Sequence, residues 1–171
     1  MSFAVRRYDP TDLDMSVLLE VASNLRPEDE YEFAASGAHP LRDAPILWGS
    51  SPAPHAAFWR GEPVFLFGTL PATPTTGLLW GFGTRLTRRV MPQLTRYGRN
   101  VWVPYLFQDT PTNRIEVRVP LKSQPSIRWL TGFGMTKEAD IAYGGPTGEP
   151  FVQLAYTRNE YHRDYPPHVH Q

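Results

Sequence analysis

The chain has 171 residues, 41% of them hydrophobic, and its 17 basic and 17 acidic side chains cancel. That length and apolar content suit one domain with a sizeable core, and zero net charge excludes a whole-molecule field drawing it to nucleic acid or anionic lipid. The absence of cysteine excludes disulfides and thiolate-bound zinc, and no apolar run approaches the roughly 20 residues that cross a bilayer.

From the N-terminus, MSFAVRRYDP lacks the apolar core of a signal peptide. Phe3 to Tyr8 reads as a short strand, and Asp9-Pro10 as the cap and first-turn proline of a helix. Leu13, Val17 and Val21, flanked by Leu18, Ala22 and Leu25, recur at helical spacing and give that helix one buried face as far as Leu25. Arg26-Pro27 breaks the run and opens a second helix with Glu28, Asp29 and Glu30 in its first turn. Acids there complement the positive end of the helix dipole, so the cluster is assigned to helix chemistry rather than to a metal site. Over 41–54, Pro45, Gly49, Pro52 and Pro54 interrupt ILW, which reads as a single helical turn. HAAFWR, EPVFLFGTL and GLLWGF are rich in aromatic and β-branched residues and are separated by Arg60-Gly61 and PATPTT. They predict an antiparallel meander.

Val90, Leu94, Tyr97, Val101 and Tyr105 fall three or four apart and predict a longer helix. Proline inside a helix costs about 3 kcal/mol, so its regular part is expected to begin near Met91 and Pro92, with Pro104 bending or ending it. RIEVRVPL alternates Ile115, Val117 and Val119 with charges over one strand. Pro125 then opens a helix carrying Ile127, Trp129 and Leu130, which stops at Gly132 and Gly134. MTKEADIAY and PFVQLAYT are two more strands joined by GGPTGE. NEYHRDYPPHVHQ reads as a polar tail lying loosely on the surface, which divides the chain into a domain at 1–157 and a tail at 158–171.

The order is strand, two helices, three strands, helix, strand, helix, two strands. With the stretches VRRYDPTDLDMSVLLEVA, GLLWGFGT and VRVPLKSQPSIRWLTGFGM, it resembles the GCN5-related N-acetyltransferase (GNAT) family, and in particular small acetyltransferase-like proteins of tailed bacteriophages. The resemblance implies an α/β (α+β) fold, with a mostly antiparallel mixed central sheet flanked by helices. It also implies acetyl-CoA as cofactor, bound where two central strands splay apart. It carries two expected locations, host cytoplasm or phage virion, and two partners, an acyl-CoA or virion proteins, with no membrane.

In that family a Gly-rich turn at a helix N-terminus holds the pyrophosphate. The turn here is GFGTRLTRR, so Gly81, Gly83, Thr84, Arg85 and Arg88 are the cofactor-binding candidates, joined by Trp129 because its helix lies beside the thioester. The turn lacks the family's full spacing. Trp129 also stands near the place of a tyrosine that serves many members as general acid, and an indole gives up no proton near neutral pH. Ser123 stands where the family opens this helix with asparagine. Glu116 and His55 are the candidate bases. His162, His168 and His170 lack the acidic partners of a metal site, and Arg85, Arg88, Arg89, Arg96 and Arg99 have too few interleaved aromatics to favour nucleic acid over a phosphate-bearing cofactor. The expected function is acyl transfer from acyl-CoA to an amine with degraded catalytic motifs. The alternative is a virion or assembly component that keeps the fold as a scaffold.

Overall fold

Alternating apolar positions build seven strands: β1 (Phe3–Arg7), β2 (His55–Trp59), β3 (Glu62–Thr73), β4 (Thr76–Gly83), β5 (Arg114–Pro120), β6 (Thr136–Ile141) and β7 (Phe151–Thr157). A computed structural model describes residues 3–166 apart from Pro10 and Leu13. In it the strands form one sheet in the order β1-β2-β3-β4-β5-β7-β6. β2, β3 and β4 make the expected antiparallel meander, and β6 and β7 the expected antiparallel pair. Only β4 and β5 run parallel, and they pair through just Thr76–Leu78 against Arg114–Glu116. Beyond that point the two strands separate, β4 continuing to Gly83 and β5 to Pro120.

Side-chain alternation sends successive residues to opposite faces of the sheet. Phe65, Phe67 and Leu79 join one apolar cluster, with Val90 and Leu94 of α4 (Thr87–Tyr97), Leu106 and Phe107 of α5 (Val103–Gln108) and Leu130 of α6 (Gln124–Gly132). Leu66, Trp80 and Phe82 join the other, with Val17, Leu18 and Val21 of α1 (Met15–Ala22), Phe33 of α2 (Pro27–Ala35) and Trp48 of α3 (Pro40–Gly49). No helix among the described residues is long and apolar enough to cross a membrane.

Four elements depart from the sequence reading. The first helix is capped by Asp14, not Asp9; the Asp9 carboxylate instead accepts hydrogen bonds from the N–H and hydroxyl of Thr11, an Asx turn that delays the helix. Pro10 and Leu13, assigned to that helix start, lie outside the described residues. Most of the 41–54 stretch, as far as Gly49, lies in a full helix, α3, because Pro40 fits the first turn and the Asp43 carboxylate accepts from the His39 N–H at 2.7 Å. Burial of Ala44 and Trp48 offsets the internal Pro45.

The long helix begins at Thr87 rather than near Pro92. Thr87 is fully buried and its hydroxyl donates to the Val64 carbonyl at 2.7 Å, an anchor that outweighs the one bond Pro92 removes. Ahead of Pro104 the chain widens into a π-helical turn, Gly98–Trp102, with the Val103 N–H reaching back to the Gly98 carbonyl. That bulge absorbs the second proline without breaking the axis. Finally, the supposed tail forms α7 (Arg158–Asp164), started by a reciprocal Thr157–Glu160 capping box and fixed by buried Tyr161 against Phe107. His168 and His170 lie outside the described residues.

Candidate active site

Where β4 and β5 part, the sheet has a gap, and a cleft of about 310 Å³ passes through it. Its wall on the α4–α6 side includes Phe65, Phe67, Gly81, Trp129 and Phe133, and its wall on the α2–α3 side includes Phe33, Leu47, Trp80 and Phe82. The lining is mostly apolar and aromatic. Its polar exceptions come largely from one helix.

That helix is α2. Arg26, the residue before it, together with Asp29, Glu32 and Ser36, sits at spacings of three and four, which lie on one helical face, and all four line the cleft. Asp29 is 2% exposed. Its carboxylate accepts from Arg26 Nε at 2.8 Å and Nη2 at 3.0 Å, and from the Gly83 N–H at 2.6 Å. Burial pushes the Asp29 carboxyl above its ordinary range, with Arg26 and Gly83 pulling the other way. One turn later, half-buried Glu32 accepts a hydrogen bond from the Ser126 hydroxyl of α6 at 2.6 Å. Burial raises the Glu32 carboxyl as well, opposed first by that hydroxyl. A carboxyl with raised proton affinity on the wall of an apolar cleft is suited to general acid–base work.

Sequence reasoning missed Glu32. Attention fell on Glu28, Asp29 and Glu30 as dipole partners, whereas the usable signal was the polar stripe at 26, 29, 32 and 36. The acidic cluster itself does more than complement the dipole. Asp29 holds the β4–α4 turn, and Glu28 pairs with Arg88 on the far side of that turn.

Of the other residues proposed from sequence, Gly81 and Trp129 line the cleft. The phosphate turn is largely occupied by the protein itself. The Gly83 N–H goes to Asp29, the Thr84 N–H to the Val64 carbonyl at 2.9 Å, and the Leu86 and Thr87 N–H groups to Thr84 oxygens. Arg88 is taken by Glu28, while exposed Arg85 and Arg89 have no ion-pair partner among the described residues. The Trp129 indole N–H donates to Thr95 Oγ1 at 2.9 Å. Ser123 precedes α6 and is buried; its hydroxyl is close enough to Glu32 to favour the ionised carboxyl, yet has no partner at bonding distance.

The two bases chosen from sequence do not line the cleft. Glu116 pairs with Arg114 at 2.7 Å, and Arg114 also bridges to Glu138, so this carboxylate is held in an ion-pair network, while Arg118 of the same strand lines the cleft. His55 starts β2, is 2% exposed, stacks on Phe67 and meets the edges of Tyr97 and Trp102. Burial depresses its pKa to about 4, so it is a neutral member of the core.

The SIRWLTGFGM segment serves packing and site together. Ser126 holds Glu32, Trp129 and Phe133 line the cleft, and the Phe133 ring lies so close to Gly98 of the π-helical turn that a methyl group there would overlap it. After α6 the chain reverses at Gly134, whose φ of +108° is a conformation L side chains rarely adopt.

The sequence matches no protein-family model and no curated protein. Solved structures do match over nearly the whole chain. A candidate acetyltransferase is 16% identical, with 92% of this chain and 84% of that one aligned at a TM-score of 0.71. The aminoglycoside acetyltransferase AAC(6')-Ib in complex with coenzyme A and kanamycin is 20% identical over 95% and 98% of the two chains, at 0.62. An acetyltransferase of the GNAT family from Streptococcus pneumoniae is 12% identical over 91% and 99%, at 0.63. With its mixed, mostly antiparallel sheet, helices on both faces and strands parting at the centre, the chain has the GNAT acetyltransferase fold.

Proposed function

We propose that this protein binds an acyl-CoA in the gap between β4 and β5 and transfers the acyl group to an amine, with Glu32 as general base. The observation that carries the reading is the cleft at the parting strands with the Glu32 carboxyl on its wall. Beyond Leu78 the facing edge of β4 has no strand partner, which suits an extended, amide-bearing arm. The thioester supplies an activated carbonyl. Glu32 accepts the proton released as the amine nitrogen bonds to that carbon, Ser126 holds the carboxylate, and the departing thiolate takes its proton from water. Trp129 packs beside the reacting groups and donates no proton, since its N–H already belongs to Thr95. With the Gly83, Thr84, Leu86 and Thr87 amides occupied, the side chains of exposed Arg85 and Arg89 are the groups we assign to the phosphates.

Calorimetric titration with acetyl-CoA tests the binding step. Micromolar or tighter binding that weakens in Arg85→Ala plus Arg89→Ala supports the reading, and absence of heat at several temperatures removes it. Glu32→Gln is expected to keep binding and to lower turnover about a hundredfold or more.

One observation favours the second reading, a non-catalytic component that keeps the fold as a scaffold, for which a virion or assembly role is our proposal. Most of the amides that would cradle phosphate, those of Gly83, Thr84, Leu86 and Thr87, are engaged inside the protein. Absence of cofactor binding together with copurification of portal or tail proteins would support it.

A further inference from the structure

Resting on the acyltransferase reading above, we infer that the acyl acceptor is an amine with an apolar, flat body and a single positive charge, in chemical class an arylalkylamine. The charge and the aromatic wall of the cleft carry this inference. Four charged residues line it, Arg26, Asp29, Glu32 and Arg118, and they sum to zero. Asp29 is closed by Arg26 and the Gly83 N–H, which leaves Glu32 as the one acid able to meet an ammonium group. Among the described residues lining the cleft the acids are Asp29 and Glu32, so with Asp29 engaged a polycation finds no second unengaged carboxylate there.

The wall beside Glu32 matches a ring. Phe33 meets Phe82 edge-on with centroids 5.2 Å apart, Trp80 lies beside Phe82 at 5.7 Å, and Leu47 completes the apolar side. Aromatic walls favour flat partners through edge and offset contacts. A sugar-based or linear polyamine would bring further ammonium groups into a cleft that also carries the like charges of Arg26 and Arg118.

The test measures acetyl-CoA binding by calorimetry and, separately, thiol release and N-acetyl product by mass spectrometry with phenethylamine, kanamycin and spermidine as acceptors. Phenethylamine is expected to show kcat/KM at least about tenfold above either polycation, equivalent to about 1.4 kcal/mol of discrimination. Phe33→Ala is expected to raise its KM with kcat nearly unchanged. Because Phe33 is only partly buried, Phe33→Leu serves as a second variant that keeps the packing and loses only the ring. Faster turnover of kanamycin or spermidine, equal rates for all three, or acetyl-CoA binding without phenethylamine turnover each overturns the acceptor class. Failure of acetyl-CoA to bind at all removes the acyltransferase reading itself, and the calorimetric arm tells the two failures apart.

Discussion

Replacing Asp29 by leucine removes the acceptor of three hydrogen bonds, two from Arg26 and one from the Gly83 N–H. The Arg26 side chain is 14% exposed, so a mostly buried guanidinium would lose its counter-charge, a change that costs about 3–5 kcal/mol. The stranded Gly83 N–H adds about 1 kcal/mol or more. Partial access of Arg26 to water sets the charge cost at its lower end, giving about 4 kcal/mol in all. For a domain of this size that is a fall of about 10 °C in Tm, read by circular dichroism during thermal unfolding. A second variant isolates the charge: Arg26→Met combined with Asp29→Leu replaces the pair by apolar side chains and leaves only the orphaned amide, so it should lose only about 1–2 kcal/mol. The loss should persist in high salt, because a buried pair is little screened. A single-variant loss under about 1 kcal/mol, or a double variant worse than the single one, would refute the view that Asp29 fastens α2 to the β4–α4 turn.

Acidification tests His55. Its pKa is about 4 when folded and about 6.5 when unfolded, so the unfolded chain binds the extra proton and stability present above pH 6.5 is lost progressively down to about pH 4, by about 3 kcal/mol. His55→Phe should flatten that slope in urea titrations at pH 7, 5.5 and 4.5, and an unchanged slope would count against it. Glu32 works in the opposite sense: its folded pKa is raised, so its contribution to stability is fully present below the unfolded value and lost as pH rises through the folded one. Glu32→Gln should therefore gain stability at pH 8 relative to the parent while losing activity. In the parent, activity should fall with acid at a higher pH than an ordinary glutamate would give. Gly98→Ala drives a methyl into the Phe133 ring and should cost about 1–3 kcal/mol in chemical denaturation. Tyr161→Ala empties a site between Phe107 and Tyr156 and should cost about 3 kcal/mol or more, whereas a loose tail would show no change.

Much of the fold was legible because it follows from periodicity. The meander, the RIEVRV strand and the 124–132 helix each obey a single local rule, and the structure has them nearly where the pattern puts them. The failures share a cause, which is tertiary packing overriding local chemistry. Proline at 45 and 92 argues locally against helix, yet Trp48 and Thr87 bury enough to keep α3 and α4 intact. The polar composition of NEYHRD hid a capping box and one buried tyrosine. The site was less legible than the fold. Gly81 and Trp129 were found through a family pattern, but Glu32 becomes a candidate only once α2 lies across the gap in the sheet. His55 and Glu116 looked usable because sequence alone does not reveal that one is sealed among aromatic rings and the other tied to Arg114.

The short pairing of β4 with β5 also makes the sheet mechanically two pieces. One half-sheet, β1 to β4, carries α1 and α3, the other is β5, β7 and β6, α2 lies across the seam, and strand pairing over the join is limited to Thr76–Leu78 against Arg114–Glu116. Side chains packed over the seam take the place of the missing rungs. Any extended molecule that lays its own amides along the open edge of β4 finishes the ladder, so ligand binding would be felt by the whole domain as stiffening. A ligand at a hundred times its Kd would add about 2.7 kcal/mol. The amides beside the seam, which should exchange fastest with deuterium in the free protein, would then become its most protected.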